Sequence, residues 1–213
     1  MKLDALQWAD TAFPSGRYTL SNGLEGVAQH LAAQGGAVDV REFLHSSLHY
    51  SFTTTDLAAV ALAWEAADIS NLDILNTVVG ATRTVESVFR ASVRVGKQML
   101  FMAGQLGIEV QAPKDCHQAV AAALIHKANG LSLDEALSIE FFAFVSQTAS
   151  AAVRLGLVDF IQGQKLIKEL MDEAPACIGA AKNLKLEDLG SQVPFLEIAS
   201  ARHEHADARL FMN

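Results

Sequence analysis

Glu42, His45 and His49 follow one another at intervals of three and four residues, so on a helix all three project from one face. Carboxylate and imidazole groups in that pattern could ligate a transition metal, as they do in bundles that hold paired metal ions. Such a centre needs two Glu-x-x-His motifs and two further glutamates, and the chain has no second motif. The alternative this set supports, a helical metal-dependent oxidoreductase built on Glu42, His45 and His49, therefore lacks half its ligands. His203 and His205 suit nickel or zinc by their chemistry, but two imidazoles do not close a site. No metal ligand is assigned and no cofactor is expected.

Other chemistries fail on missing motifs. The sequence has no GxxxxGKS/T phosphate loop, no GxGxxG, no GxSxG elbow and no HExxH, so nucleotide and hydrolytic chemistry are not expected of this chain. Cys116 and Cys177 stand far apart and form neither a CxxC pair nor a disulfide framework. A net charge of −8 argues against a general phosphate-binding surface, so no nucleic-acid partner is expected. That charge is uneven: residues 1–70 carry −5, 71–130 carry +2 and 131–213 carry −5. One basic element thus lies between two acidic ones, as internal pairing or as a polar docking face.

The elements that must position these groups are helical. Of the four prolines none falls between Pro14 and Pro113, and no stretch alternates for long like a half-buried strand. Asp39 with Glu42 predicts a capping box before Val40, Phe43, Leu44, Leu48 and Phe52. Ser132 with Glu135 repeats the device and opens a segment to about Arg154, bracketed by Gly130 and Gly156. Its Phe141, Phe142, Phe144 and Val145 predict the central buried helix. Loop signals stand at Gln34-Gly35-Gly36, Ala112-Pro113, Ala174-Pro175 and Gly190-Ser191. The expected fold is all-α, a single-domain bundle of roughly eight to ten helices over residues 1–213.

Two polar rows run along these helices. Glu140, Gln147, Ser150 and Arg154 share a face of the central helix, as a structural network or as the lining of a polar interior. Arg83, Glu86, Arg90, Arg94 and Lys97 are expected to form a solvated face. At 51% hydrophobic and 19% charged, with mean hydropathy +0.22, the chain is rich in apolar residues. That surplus is either an alanine-thickened core or a surface that meets partners. The longest uncharged run around Phe141 to Val153 covers 13 residues, short of the roughly 20 needed to cross a bilayer. Lys2, Asp4 and Asp10 do not make a secretory signal. A cytoplasmic protein with no membrane partner is expected.

The two ends are the most specific parts of the sequence. Near the front stands Phe13-Pro14-Ser15-Gly16-Arg17-Tyr18-Thr19-Leu20-Ser21-Asn22-Gly23-Leu24-Glu25, and near the back Leu196-Glu197-Ile198-Ala199-Ser200-Ala201-Arg202-His203-Glu204, closing on Arg209-Leu210-Phe211-Met212-Asn213. Pro14 and Gly16 can form a rigid turn presenting Tyr18, and Ser21 can cap a helix through Leu24, Val27 and Leu31. Pro194 can start a helix with Ile198 and Ala199 on one side and Arg202, Glu204 and Arg209 reaching outward. These motifs resemble the UreF family of urease accessory proteins, whose pattern reads P-x-G-x-Y/F-x-x-S-x-G-L-E in front and I-A-S-M-R-H-E then R-L-F behind. Glu86, Arg90-Ala91-Ser92, Gly96, His117 and Gly130 to Ala136 look like further family residues. Ala201 departs from the usual Met, Arg17 from a small residue, and Met212-Asn213 from the common ending.

The resemblance implies a non-catalytic scaffold, not an enzyme. It would dimerise, join UreD (also called UreH) and the GTPase UreG, and act as a chaperone of nickel insertion into apo-urease, gating the GTPase during metallocentre assembly. The residues expected to bind partners are Pro14, Gly16, Tyr18, Ser21, Gly23, Leu24 and Glu25 in front. Behind they are Ile198, Ala199, Arg202, His203, Glu204, Arg209, Leu210 and Phe211, within a docking segment over 194–213. An unrelated helical adaptor would differ only in its partners.

Overall fold

The computed structural model describes residues 3–212, so Lys2 and Asn213 lie outside it. No strand occurs among the described residues. The α-helices are α1 (Leu24–Ala32), α2 (Val40–Ser47), α3 (Ala58–Glu65), α4 (Ile69–Ala81), α5 (Glu86–Gln105), α6 (Gln118–Ala128), α7 (Leu133–Arg154), α8 (Phe160–Leu170), α9 (Ala174–Asn183) and α10 (Pro194–His203). A π-helical segment, Leu48–Leu57, joins α2 to α3 without a break, and a 3-10 turn, Met171–Glu173, joins α8 to α9. Pro175 therefore stands in the first turn of α9 and not in a loop, where its missing N–H costs nothing.

The central helix is α7. Its predicted bounds and the Ser132–Glu135 box are both present, and α1, α2, α3, α6, α8 and α9 all pack against it. It is long and apolar enough to span a membrane, but 72% of its most apolar stretch is buried within the bundle. Phe141 and Leu137 are fully buried there, alongside Leu24, Leu44, Leu48, Leu57, Met99 and Ile125 from other helices. Each such side chain contributes roughly 1.5–3 kcal/mol. Phe142, expected inside, is exposed, on a groove that it shares with Leu6, Phe160 and Ile167. Ala119 and Ala121 to Ala123 keep α6 thin where α3 and α5 press on it. Gly96 serves the same approach: a Cβ there would lie 2.1 Å from the Cys116 carbonyl oxygen.

Caps follow the local chemistry, with two corrections. Asp39 accepts from the amides of Arg41 and Glu42, but Glu42 does not close the box. Its carboxylate accepts from Ser46 Oγ instead, at 3.1 Å. Arg83 does not belong to a solvated row, since it precedes α5 and its buried guanidinium pairs with Asp56 at 2.6 Å. Arg90 pairs with Glu86 and Lys97 with Asp115 at the surface, each at 2.5 Å.

The π-helical segment was not expected. Thr55 donates its hydroxyl back to the Ser51 carbonyl at 2.8 Å, which competes with the regular backbone ladder. The wider turn leaves the carbonyls of Tyr50 and Thr54 to accept from the amides of Gln192 and Gly190, at 2.7 and 3.1 Å. This fixes the loop that leads into α10.

Candidate partner-docking site

The polar row on α7 holds the N-terminal segment in place. Arg17, in a 3-10 turn over Arg17–Thr19, is buried and pairs with Glu140 at 2.5 Å. His126 Nε2 meets the other Glu140 oxygen at 3.0 Å. Burial alone would raise the Glu140 carboxyl, but the Arg17 charge and the hydrogen bonds from His126 and Arg17 together hold it below the ordinary range. Two and four turns on, Gln147 donates to the Leu20 carbonyl at 3.2 Å and Arg154 to the Tyr18 carbonyl at 2.6 Å. Ser150 takes no part and faces a separate groove. Beside this row lies a cavity of about 140 Å³ lined in part by Arg17, Glu140, Gln147, Asp56 and Arg83 and in part by apolar groups such as Phe52 and Phe144, so the row both supports the chain and borders a mixed cavity.

The C-terminal tail closes over the same segment. Glu25, buried on α1, accepts from His203 Nε2 at 2.9 Å, from the Leu210 amide at 2.8 Å and from the Phe211 amide at 2.9 Å. The Met212 amide donates to the Thr19 carbonyl at 2.9 Å. The Arg154 guanidinium lies 3.9 Å from the Tyr18 ring centre and 4.2 Å from that of Phe211, a cation–π sandwich that joins the two ends of the chain. Helix α10 approaches α1 at Gly26, where a Cβ would stand 2.8 Å from the Ala199 carbonyl oxygen. The two terminal motifs, separated by about the whole chain, are thus one structural unit.

The family model described as UreF matches residues 35–171. The chain belongs to the UreF family. It is 28% identical to a urease accessory protein UreF of Paenarthrobacter aurescens, over 97% of this chain and 96% of that protein. It is 27% identical to that of Corynebacterium efficiens over 99% and 96%, and 24% identical to that of Trichodesmium erythraeum over 100% and 97%. UreF-family proteins are urease accessory proteins and are not enzymes, so the oxidoreductase alternative falls. Its residues are also not assembled: Glu42 points to Ser46, and the carboxylate beside His45 and His49 is that of Glu173.

The residues assigned to partner contact divide by burial. Tyr18 (51% exposed), Ile198 (51%) and Leu210 (66%) are open to solvent, as are Pro14, Arg202 and Arg209. Ser21, Gly23, Leu24, Glu25, Ala199, His203 and Phe211 are buried by the chain's own packing, and Gly16 and Glu204 are half-buried. Ser21 is not the N-cap of α1, a place held by Gly23, yet its hydroxyl accepts from the Glu25 amide at 3.3 Å. Glu204 turns inward to accept from the Ser87 amide, and Ile198 is exposed while Ala199 is buried. Two mid-chain motif residues are structural as well. Ser92 Oγ stands 3.1 Å from His117 Nδ1, and burial, with the Arg83 charge, pushes that imidazole down to about 4.

Proposed function

We propose that this chain is a non-catalytic scaffold that joins a UreD/UreH-type protein and the GTPase UreG and promotes nickel insertion into apo-urease. It works in the cytoplasm as a homodimer, and GTP hydrolysis, which it gates, belongs to the partner. The observation that supports this reading best is the unit formed by the joined ends. Tyr18, Ile198 and Leu210 stand exposed on a base that Glu25, His203 and Phe211 fix from beneath. Apolar anchors held rigidly among charges such as Arg202 and Arg209 bind with little ordering cost. The buried members of both motifs act by holding the exposed ones.

Capture of the UreD-type partner by purified full-length variants tests the reading. Ile198→Ala and Leu210→Ala should each weaken capture while the melting temperature stays within a degree or two of the parent, because surface truncations are nearly neutral for stability; Tyr18→Ala should weaken capture and, by losing its contact with Arg154, lower the melting temperature by about 2–4 °C. Unchanged capture by the triple variant would sink it. Deleting residues 196–213 is a poorer test, since it also strips His203 and Phe211 from Glu25. Purified chain should neither bind nor hydrolyse GTP; turnover that tracks with this protein through purification would contradict that part.

A further inference from the structure

We propose that His45, His49 and Glu173 form a binding site for a divalent transition-metal ion of the zinc and nickel class. The inference goes beyond the docking role and does not depend on any partner. His45 and His49 are four residues apart where α2 passes into the π-helical segment, which sets their rings 4.6 Å apart on one face. The 3-10 turn between α8 and α9 brings Glu173 against them from 124 residues away. Glu173 Oε2 lies 3.8 Å from His45 Nε2 and in hydrogen-bond contact with His49 Nε2, and one donor atom from each of the three falls within 4.8 Å of the others.

Bonds of roughly 2.0–2.2 Å to zinc-like ions place neighbouring donors about 3.0–3.4 Å apart, so small side-chain rotations complete the set. Two imidazoles and one carboxylate suit zinc, nickel and their neighbours, whereas calcium and magnesium prefer oxygen alone. All three side chains are partly exposed, so an ion can enter, and three protein ligands leave positions for water. The buried Cys177 Sγ lies 3.6 Å from His49 Nδ1. With a metal on Nε2, the Nδ1–H has that sulfur as its acceptor, the outer contact that orients a ligating imidazole. Arg41, whose charge reaches Glu173, makes its hydrogen bond to Glu169 instead, at 2.7 Å.

Titration calorimetry of the chelator-treated full-length chain with nickel chloride, and separately with zinc chloride, tests the site. One ion per chain is expected for at least one metal, with affinity reduced about tenfold or more in His49→Ala and in Glu173→Gln. Glu42→Gln and His205→Ala should bind as the parent does. X-ray absorption of the loaded protein should show two imidazoles. No binding of either metal, or undiminished binding by a folded His45→Ala/His49→Ala variant, overturns the proposal. Should that variant fail to fold by circular dichroism, the near-isosteric Glu173→Gln decides: parental affinity there overturns it equally.

Discussion

Glu25 supports the tail through one buried carboxylate that receives an imidazole and two backbone amides. Replacing it with alanine leaves those donors unpaired in the interior, and the expected cost is about 3 kcal/mol, measurable by urea denaturation, with faster exchange of the Leu210 and Phe211 amides. His117 carries a second prediction. Its folded-state pKa of about 4 lies below the ordinary 6.5, so the unfolded chain takes up the proton first. Stability from this group is complete above about pH 6.5 and is lost as pH falls toward 4, by up to about 3 kcal/mol. Denaturation across that interval should show a flatter profile for His117→Gln than for the parent; identical profiles would refute the assignment. At this scale the sequence displays types and not partners. Glu140 was legible as one of a polar row, but Arg17 lies 123 residues away and His126 14. Glu173 carries no local sign that it joins His45 and His49.

Helices were the most legible elements because their signals are local. The Ser132–Glu135 box, the glycines at 130 and 156 and the dense apolar run between them are all contained within the segment they define, and α7 has those bounds. The π-helical segment was hidden, since Leu48 and Phe52 keep the expected spacing and the change depends on the Thr55 hydroxyl turning back on Ser51. Its consequence is testable. Thr54 Oγ1 donates to the Gly190 carbonyl at 2.6 Å, so Thr54→Val should cost about 1 kcal/mol and speed hydrogen exchange at Gly190 and Gln192. If those amides exchange as in the parent, the segment does not anchor the loop. The crossing of α1 and α10 is harder to perturb gently. Gly26→Ala drives a Cβ against a backbone oxygen, and overpacking of this kind costs typically about 1–3 kcal/mol, here with loosening of α10 visible as lost protection of its amides.

For the whole molecule, the apolar surplus in the composition has two destinations. Much of it is alanine inside the bundle, on α3, α6 and α7, and some is exposed, including Phe101 on α5, Phe142 on α7, and Phe160 and Ile161 on α8. Single exposed apolar groups are ordinary, but Phe142 and Phe160 border one groove with Leu6 and Ile167, so part of the surplus is contiguous. The proposed homodimer needs only about 800 Å² from each copy, a small share of the 10065 Å² surface. Each copy carries a net charge of −8, so two copies repel at long range, and apolar contact must overcome that repulsion. Raising salt screens the repulsion and leaves apolar burial intact. Light scattering at micromolar concentration should therefore give about twice 22.8 kDa, with the dimer at least as tight at about 0.5 M salt as at about 0.05 M. A monomer at both salt concentrations would refute dimerisation. A dimer that dissociates as salt rises would show instead that ion pairs between the basic middle and the acidic ends hold it together.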